Sequence, residues 1–558
     1  MTIFVGMTAI DENTISASNA ECLKNSSLSS LNLQSFSEEV VTSHFVIYQY
    51  DVGVFTRQFD NNSDDVTSAI AGQPIFSDGT IDTQADISLL NKHKNELPEL
   101  LAKARGTFSG VLHNGENNKT FLFTDKIGVR PIFYISHSGY MYFSSNFSVL
   151  KNLFFDELKL CADGLKEYLT LGYSLDDKTA FNEIKRLKGS HLLEIGKDVK
   201  TSEYWDWSTI HTEVIDDGFY QDLYNIFQES VKLRTFEHDT AYSFLSGGLD
   251  SRAVTSSLIA QGKKLISFNF QTAYCQDTEY SKLYAEKAGI NLKAVIVPQD
   301  DFHGWSRLIA KSINQVEGEH KGQYVWSGDG GAPIGGVYLN TKTIEAFADD
   351  ELMAINIFLS SNNKTLLLNY FAGKLTVSNP NEIAIRMYST LKSFPNENSK
   401  ALFYSLLVNG QARNLQTHFE TIHLHKIEMA LPFFDSHFMC QVFKIPMHEL
   451  AYHNAYAKWF EYFPAFTRKT PWQSYPGHVP CPVKYKSEFV NQWQMNKKKS
   501  IFNLQETLDI LRILKSPNIR HMVSKKHICI KAFFHFLGLQ NNTYIIDFNR
   551  KLKDLLES

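Results

Sequence analysis

The stretch from residue 241 to residue 262, AYSFLSGGLDSRAVTSSLIAQG, constrains the fold of this chain more than any other segment. Its apolar start predicts a buried strand over residues 242–245, and the glycine pair that follows predicts a sharp turn over residues 246–250. The spacing of apolar residues beyond the turn predicts an amphipathic helix that ends at Gly262. A strand, a glycine turn and a helix in this order place the helix N-terminus at the carboxyl end of the strand.

The turn has the chemistry of a pyrophosphate cradle. Gly247 and Gly248 let the backbone approach a ligand closely, and the unpaired N–H groups and the dipole of the helix start favour an anion. The hydroxyls of Ser246 and Ser251 add donors, and Asp250 adds a carboxylate that could hold a metal ion beside phosphates. The alternative is an ordinary strand-to-helix turn, which a glycine pair alone would favour. The turn differs from a Walker loop, which needs GK[ST].

Length and composition predict a soluble protein of two to four domains. The chain has 558 residues, 43% of them apolar and 21% charged, and a formal net charge of −5. This charge provides no basic field for nucleic acid, and no window approaches the 18 apolar residues that would indicate a membrane span. The first residues show no signal-peptide pattern. Because the six cysteines lie far apart, we expect no zinc site, no disulfide framework and a reducing, cytoplasmic location.

The first 150 residues predict an α+β domain with antiparallel sheets. Residues 44–59 and 119–147 alternate apolar and polar positions around Gly and Asn turns, as hairpins do. Between them, residues 89–104 have helical spacing with Gly106 as a stop. Residues 158–195 predict a helix, a loop and a short hairpin, and the aromatic run at 204–207 is typical of a domain linker.

From about residue 215 the pattern changes to strands that alternate with helices. We predict helices over 218–235 and 278–289 and strands over 264–271 and 292–298. Continuous apolar runs in such strands favour a parallel sheet that is covered on both faces. Ligands of these sheets bind at the carboxyl ends of the strands, where the glycine turn lies. Residues 345–540 are mostly helical by spacing.

The hexapeptide Ser-Gly-Gly-Leu-Asp-Ser at 246–251 resembles the PP-loop of ATP pyrophosphatases, which cleave ATP between the α- and β-phosphates. The order of features resembles the asparagine synthetase family, in which a glutaminase-type domain precedes a PP-loop synthetase domain. Residues 106–110, 124–134 and 143–146 resemble family segments that specify the fold of the first domain. The resemblance implies an α+β N-terminal Ntn-hydrolase-like sandwich, then an α/β PP-loop domain with a parallel sheet and a helical C-terminal portion.

The same resemblance implies two domains: a class II glutamine amidotransferase-like domain over residues 1–207 and a synthetase domain over residues 215–558. Family members that hydrolyse glutamine use an N-terminal cysteine as nucleophile. Thr2 follows Met1 here, and residues 71–74 stand where the family has its substrate-binding segment. We therefore expect a degenerate glutaminase retained for structure, as in β-lactam synthetases and lasso-peptide cyclases. A nucleophilic role for Thr2 stays open.

In the synthetase domain, residues 327–338 resemble the family's glycine-rich loop over the nucleotide. Asp329 stands where the family places a catalytic acid or base. Ala332 stands where the family has the aspartate that shares Mg²⁺ with the PP-loop aspartate. Residues 428–435 match a second family segment, and this match implies that Glu428 is a further catalytic acid. The alternative is a carboxylate on a surface helix. Ala430 stands where the family segment has an arginine.

Two further segments complete the resemblance. Lys458 and the pair at 468–469 fall where the family has basic residues that neutralise charge in the transition state, and Lys469 is the better candidate. Phe270 ends the second strand and is predicted to border the adenine side, with Asp277 near the ribose. The histidines His303, His418, His423 and His425 lack metal-ligand spacing, so we predict structural or surface roles for them.

Together these residues predict an ATP-dependent amide-forming ligase with Mg²⁺. The predicted catalytic residues are Asp329, Glu428 and Lys469, and the predicted metal ligand is Asp250. The predicted ATP-binding residues are Leu245, Ser246, Gly247, Gly248, Leu249, Asp250, Ser251, Phe270, Ser327 and Gly328.

The predicted substrates are a small-molecule or peptide carboxylate and an ammonia or amine donor. A precursor peptide or another protein of a biosynthetic cluster is a possible partner, and neither nucleic acid nor a membrane is expected. A different class of function stays open: a catalytically impaired homologue that only binds a nucleotide or a partner. Thr2, Ala332 and Ala430 favour this second class.

Overall fold

The structure is a computed structural model, and it describes most of the chain. The described residues are 2–11, 13–55, 58–63, 65–76, 83–236, 238–271, 274–296, 310–313, 322–332, 334, 341–362, 369–377, 379–392, 410, 412–472, 474–475, 479–480, 504–517 and 519–556. Three sequence predictions fall partly or wholly outside these ranges: the end of the glycine-rich loop (residues 333 and 335–338), His303 and Cys481.

The N-terminal part contains two six-stranded antiparallel sheets, as the sequence predicted. The first has the order β10-β8-β9-β1-β3-β2 and the second the order β12-β11-β7-β6-β5-β4. Their strands are β1 Ile3–Ala9, β2 Glu38–Val41, β3 Phe45–Tyr50, β4 Phe59–Ser63, β5 Val66–Gly72, β6 Phe108–Asn114, β7 Lys119–Thr124, β8 Phe133–His137, β9 Tyr140–Ser144, β10 Lys185–Arg186, β11 His191–Ile195 and β12 Val199–Glu203.

The two sheets share one apolar core. Val5 and Val46 of the first sheet and Val111 and Leu122 of the second are fully buried in the same cluster. The hydroxyls of Thr8 and Thr120 also meet between the sheets at 2.8 Å. Alternating strand faces that bury one side against a partner sheet produce this sandwich. Its helices are α1 Ala17–Leu31, α2 Thr83–Lys92, α3 Leu97–Leu101, α4 Phe147–Leu153 and α5 Ala162–Leu171.

Several predicted hairpins are wrong because consecutive strands enter different sheets. β3 pairs with β1 and β2, whereas β4 pairs with β5, so residues 44–59 form no hairpin. Within 119–147 only β8 and β9 form one. After β7 the Asp125 carboxylate accepts hydrogen bonds from the amides of residues 127–130, which holds the chain in a wide loop.

Two other local predictions also need correction. The hairpin expected within 158–195 does not form, since β10 pairs with β8 and β11 pairs with β7 and β12. The helix expected over 89–104 is interrupted, and α3 begins just before Pro98. Proline has no N–H to donate and is tolerated in the first turn of a helix, which explains the new start.

The second part contains the predicted parallel sheet. Five strands have the order β15-β14-β13-β16-β17, and every pairing is parallel. The strands are β13 Thr240–Phe244, β14 Lys264–Gln271, β15 Asn291–Ile296, β16 Gln323–Trp326 and β17 Ile427–Ala430. The helices around it are α6 Phe219–Lys232, α7 Leu249–Ala260 and α8 Gln276–Ala288. The predicted elements are therefore confirmed with small shifts of their ends.

In the rest of the chain the described residues are mostly helical, as predicted. Its helices are α9 Thr341–Asp349, α10 Glu351–Ser361, α11 Glu382–Leu391, α12 Ala412–Asn414, α13 Gln416–Glu420, α14 Ile422–His425, α15 Ser436–Lys444, α16 Met447–Leu450, α17 Asn454–Phe460, α18 Ala465–Arg468, α19 Leu504–Leu511, α20 Lys525–Phe536 and α21 Tyr544–Leu556, with a small hairpin of β18 Ser474–Tyr475 and β19 Val479–Pro480. Among the described residues, no helix combines the length and hydropathy needed to cross a membrane.

Buried polar contacts join the sandwich to the parallel sheet. Asp435 is fully buried and accepts hydrogen bonds from Arg105 Nε at 3.2 Å and from Arg234 Nη1 at 3.0 Å. Trp207, from the predicted linker, is also buried, donates to the Lys126 carbonyl and packs against Phe443. This end of the linker is therefore part of the interface rather than a loose connection.

The Asp435 carboxylate is ionised in this setting. Burial raises its pKa, but the Arg234 and Arg105 cations and the amide of Phe438 outweigh burial and leave the pKa below its ordinary value. A carboxyl with a depressed pKa stabilises the fold above its ordinary pKa and loses this contribution as pH falls through the depressed value.

We expect Asp435→Asn to lower the free energy of unfolding by about 3–5 kcal/mol, because it leaves two arginines without their buried counter-ion. Denaturant unfolding at pH 7 measures this loss, and it should shrink below about pH 4, where the wild-type carboxyl begins to take up a proton. The matched control is Asp198→Asn in the exposed pair with Lys200, which should cost less than about 1 kcal/mol. Equal effects of the two substitutions would contradict the assigned role of Asp435.

Candidate active site

The predicted cradle lies where β13 ends and α7 begins. Leu245 is buried, and its amide donates to the Phe268 carbonyl of the neighbouring strand at 2.9 Å, which fixes the start of the turn. Leu249 is the first residue of α7 and is also buried. The N-cap position is Gly248, and no side chain caps the helix, so the first-turn amides face the turn as an anion-binding end requires.

Hydrogen bonds between the two serines shape the turn. The Ser251 hydroxyl lies 3.0 Å from the Ser246 amide, which donates to it, and 3.1 Å from the Ser246 hydroxyl. The Ser246 hydroxyl in turn accepts from the Gly248 amide at 3.2 Å. The cradle is thus held in shape by its own side chains.

Asp277 anchors the turn from α8. Its carboxylate accepts from the Gly247 amide at 2.7 Å and from Asn269 Nδ2 at 3.0 Å, and the side chain is 2% exposed. A Cβ at position 247 would lie 2.8 Å from the Asp277 carbonyl oxygen, so only glycine fits this contact. The structure therefore joins Asp277 to the phosphate turn, and its position beside the adenine and ribose side stays a prediction.

Phe270 lies near the end of β14, beside the turn. Its ring is 9% exposed and packs against Phe244 and Phe268 with ring centroids 6.1 and 6.3 Å apart. It belongs to a separate apolar cluster on this side of the sheet.

The second loop packs directly on the first. Ser327 follows β16, is buried, and its amide donates to the Ala430 carbonyl of β17 at 3.0 Å. A Cβ at Gly328 would lie 2.7 Å from the Ser251 nitrogen, and a Cβ at Gly331 would lie 2.4 Å from Asp250 Oδ1. Two glycines therefore let residues 327–331 wrap around the PP-loop carboxylate.

Asp250 and Asp329 face each other across this contact. Burial raises the pKa of Asp250 to about 7, a hydrogen bond from Tyr456 opposes the rise, and the charge of Asp329 adds to it. The Tyr456 hydroxyl donates to Asp250 Oδ1 at 2.8 Å. Asp329 as a residue is exposed, but the surrounding protein desolvates its carboxyl group and thereby raises its pKa above the ordinary value. The hydrogen bond from the Ser327 hydroxyl opposes this rise.

This carboxylate pair fits a hard cation such as Mg²⁺, which prefers oxygen ligands. Tyr456 occupies one oxygen of Asp250, and the other takes no hydrogen bond from the described residues. Gly331 packs against the first of these oxygens, Oδ1, where a Cβ would lie 2.4 Å away. No group of three metal-ligating side chains occurs among the described residues, so phosphate oxygens or water would complete the coordination. Ala332, half-buried in the same loop, contributes no ligand.

Lys469 is brought to the PP-loop by its neighbours in the chain. It follows α18 and has an exposed side chain. The carbonyls of the next two residues, Thr470 and Pro471, accept hydrogen bonds from Arg252 of α7 at 2.8 and 2.7 Å. Arg252 also donates to the Gly247 carbonyl at 3.0 Å. One buried guanidinium thus ties the PP-loop to the segment that carries Lys469.

Glu428 is placed differently from the other predicted catalytic residues. It lies on β17, not on a surface helix, is fully buried, and forms an ion pair with Arg130 of the sandwich. Arg130 in turn stacks on the Phe419 ring, 3.8 Å from its centroid. This contact joins Glu428 to the domain interface. The structure brings Asp250, Asp329 and the PP-loop together. Glu428 is connected to this group only indirectly, because its strand β17 binds the Ser327 amide through the Ala430 carbonyl.

Other predicted residues have structural roles. Lys458 lies on α17 and pairs with Glu449 at 2.6 Å on the surface. His418 and His425 are buried and pack against each other; the ring of His418 lies 3.0 Å from the Ile427 carbonyl oxygen. Thr2 is fully buried, and its hydroxyl contacts Gln58 and lies 3.4 Å from Asp51.

Sequence reasoning missed two residues of this site. Arg252 follows the PP-loop directly, and an arginine in the first turn of a buried helix was a usable signal because such a charge needs partners. Tyr456 carries no comparable signal. It is 206 residues away from Asp250, and nothing in the local pattern of α17 distinguishes it from a core aromatic residue.

Comparison with known proteins agrees with this geometry. A glutamine amidotransferase domain model matches residues 76–205, and an asparagine synthase model matches residues 222–317. Asparagine synthetase (glutamine-hydrolyzing) 3 of Bacillus subtilis strain 168 is 28% identical over 200 residues, which cover 35% of this chain and 32% of that protein. Asparagine synthetase (glutamine-hydrolyzing) 1 of the same strain is 23% identical over 241 residues, covering 41% and 37%.

The chain thus spans about a third of the length of these two relatives in the matched region. A solved glutamine phosphoribosylpyrophosphate amidotransferase from B. subtilis also matches, with 11% identity over 60% of this chain and 77% of that chain, but its TM-score of 0.24 carries no argument. A glutamine amidotransferase match followed by an asparagine synthase match, together with these relatives, makes the chain similar to the asparagine synthetase family over the matched regions.

Proposed function

We propose that this protein is an ATP-dependent ligase that forms an amide through an acyl-adenylate. The observation that carries the proposal is the wrapping of residues 327–331 around Asp250, which places Asp329 opposite the PP-loop. A substrate carboxylate attacks the α-phosphorus of ATP, and the bond to the β-phosphate breaks to release pyrophosphate. Ammonia or an amine then attacks the acyl carbon, AMP leaves, and the nitrogen gives up a proton.

In the first step the PP-loop binds the departing pyrophosphate. The first-turn amides of α7 and the hydroxyls of Ser246 and Ser251 supply the donors for its charge. Asp250 would hold Mg²⁺, which when bound neutralises phosphate charge as the pyrophosphate leaves. Tyr456 keeps the Asp250 carboxylate in one orientation. Lys469 adds positive charge from the neighbouring segment.

In the second step Asp329 accepts the proton from the attacking nitrogen. A base is most effective when its pKa lies near the working pH, and the raised pKa of Asp329 moves it in that direction. The Ser327 hydroxyl orients this carboxylate. Glu428 acts as a positioning residue: its pair with Arg130 fixes β17, whose Ala430 carbonyl holds the Ser327 amide.

The nitrogen donor in this proposal is ammonia or an amine of the substrate, not glutamine. Thr2 would replace the nucleophile, and its hydroxyl is already engaged by Gln58 and Asp51. An amine within the substrate would give a peptide macrolactam, and free ammonia would give an acid amide such as that of a sugar acid. A precursor peptide or a biosynthetic-cluster protein would be the corresponding partner, in the cytoplasm.

The second candidate is a catalytically impaired homologue that binds a nucleotide or a partner. It is favoured by Ala332, which provides no second metal carboxylate at that position, and by the engagement of Glu428 with Arg130. The two candidates differ in one measurable quantity, the release of pyrophosphate from ATP in the presence of a carboxylate and an amine.

We expect Asp250→Asn to lower the rate of pyrophosphate release by roughly 100-fold or more, because the turn loses its metal-binding charge. The assay supplies candidate acids with ammonia and follows pyrophosphate. Asp222→Asn, an exposed carboxylate on α6, is the matched control and should keep the wild-type rate. Binding of ATP without pyrophosphate release for any acid and donor would contradict the ligase and support the second candidate.

Tyr456→Phe tests the orientation of Asp250. We expect the Mg²⁺ concentration for half-maximal pyrophosphate release to rise roughly 10-fold, with a smaller loss at saturating Mg²⁺, because one hydrogen bond to the metal ligand is removed. Tyr462→Phe, a half-buried tyrosine two residues after α17, serves as the control. An unchanged Mg²⁺ dependence would show that Tyr456 does not position the carboxylate.

The donor is tested by comparing glutamine with ammonia. We expect ammonia, or a substrate that carries its own amine, to support turnover, and no glutamate to form from glutamine, because Thr2 lacks a thiolate. Thr2→Ala should leave ammonia-dependent turnover within about twofold of wild type. Release of glutamate that disappears in Thr2→Ala would refute the degenerate assignment of the first domain.

A further inference from the structure

A large cavity lies away from the PP-loop, between the sandwich and the C-terminal helices. Its volume is about 550 Å³, within the range of sites that hold a small organic ligand. The lining comes from three separate regions of the chain: α4, α5 and β10 of the sandwich, α12 and α13, and α21. No residue of the PP-loop, of residues 327–331 or of residues 469–472 lines it.

The lining of this cavity is strongly basic. One carboxylate, Glu420, faces six cationic side chains: Lys151, Lys178, Arg186, Arg413, Arg550 and Lys551. Lys178 is balanced by Glu167 at 3.4 Å and Asp176 at 3.7 Å. Buried cations of this kind favour an anion in the space that they line.

Two of the arginines that line the cavity are almost fully buried. Arg186 is 4% exposed and Arg413 is 9% exposed. Arg186 Nη2 donates to the Gly128 carbonyl at 2.7 Å, whereas its Nη1 is buried and has no hydrogen-bond partner among the residues that the structure describes. Arg413 donates to the Asp176 carbonyl, which is neutral. A buried guanidinium donor without a partner is costly, which points to a missing acceptor.

The electrostatics of the pair agree with this geometry. Burial lowers the pKa of Arg186 well below its ordinary range, and the neighbouring Arg413 cation lowers it further. Burial likewise lowers the pKa of Arg413 to about 10. Asp125 and Glu420 oppose the lowering of the Arg186 pKa, and Tyr173, Asp176, Glu167 and Asp177 oppose the lowering of the Arg413 pKa, but burial outweighs them. Burial raises the pKa of Glu420 itself to about 7, and its carboxylate accepts from Gln416 at 2.7 Å.

We propose that this cavity binds a small organic anion that carries a phosphate or a carboxylate group and at least two negative charges. The planar guanidinium groups of Arg186 and Arg413, both at the wall of the cavity, match the oxygens of such groups. Aromatic side chains on the same wall, Phe133, Tyr168 and Tyr173, provide apolar surface for the rest of the molecule. The site is independent of the proposed ligase chemistry.

The test uses the full chain and two probes, inorganic phosphate and citrate, at an ionic strength held constant with NaCl. Isothermal titration measures binding, and a rise in Tm checks it, since a ligand that binds only the folded state stabilises it. We expect at least one probe to bind to the wild-type protein. Arg186→Gln and Arg413→Gln should each weaken the binding of that probe at least tenfold. Preference for one probe distinguishes a phosphate ligand from a carboxylate ligand.

Three further variants separate binding in this cavity from binding at the PP-loop or at surface cations. Arg512→Gln, an exposed arginine paired with Asp509, is the matched control and should bind like wild type. Ser251→Ala changes the PP-loop and should also leave the main binding event intact. Lys551→Gln at the cavity, expected to weaken binding several-fold, replaces the buried substitutions if they fail to fold.

Two outcomes would overturn the proposal. The first is binding that survives in Arg186→Gln and Arg413→Gln but disappears in Ser251→Ala, which would place the anion in the PP-loop. The second is the absence of binding and of any Tm rise for both probes in the wild-type protein. Because neither readout depends on turnover, failure here is distinguishable from failure of the ligase proposal.

Discussion

The position of the active-site loop depends on the buried carboxylate of Asp435. Two arginines from different parts of the chain meet there: Arg105 comes from the sandwich, and Arg234 follows the helix that leads into β13. The turn just before Asp435 carries Phe433 and Phe434. A Cβ at Gly330 would lie 2.9 Å from the Phe434 ring, so this turn forms the floor under residues 327–331. The ion pairs of Asp435, which lie outside the PP-loop, thereby help to set the position of Asp329.

The contact between this loop and Asp250 also bears on the charge that is missing at Ala332. The family pattern divides the metal-binding charge between the PP-loop and the aspartate that Ala332 replaces. Ala332 carries no such charge, but Asp329 of the same loop lies close enough to Asp250 for its charge to raise the pKa of Asp250. The loop therefore keeps one negative charge near Asp250 although Ala332 provides none.

The sequence predicted this fold well where a local pattern determines the element. Residues 264–271 form a strand with the predicted ends, and the turn at 246–250 begins α7 as expected. The errors in the predicted hairpins share one cause, since the residues around Gly53, Gly128 and Gly189 carry the chain from one sheet of the sandwich to the other. Alternation of apolar residues identifies a strand but not its partner. Tyr456 and the Arg130–Glu428 pair could not be predicted, because only the tertiary fold brings together residues so distant in sequence.

The long separation between Arg130 and Glu428 has a consequence for biosynthesis. The two residues are 298 positions apart, so at a typical rate of translation the ribosome needs about 15–60 s to reach the second after the first. During that interval the sandwich can fold, but the surface around Arg130 still lacks the strand that covers it. Water must solvate a guanidinium that is later sealed inside the protein. The nascent first domain therefore passes through a stage with an open, hydrated face, and docking of the late strand β17 ends that stage.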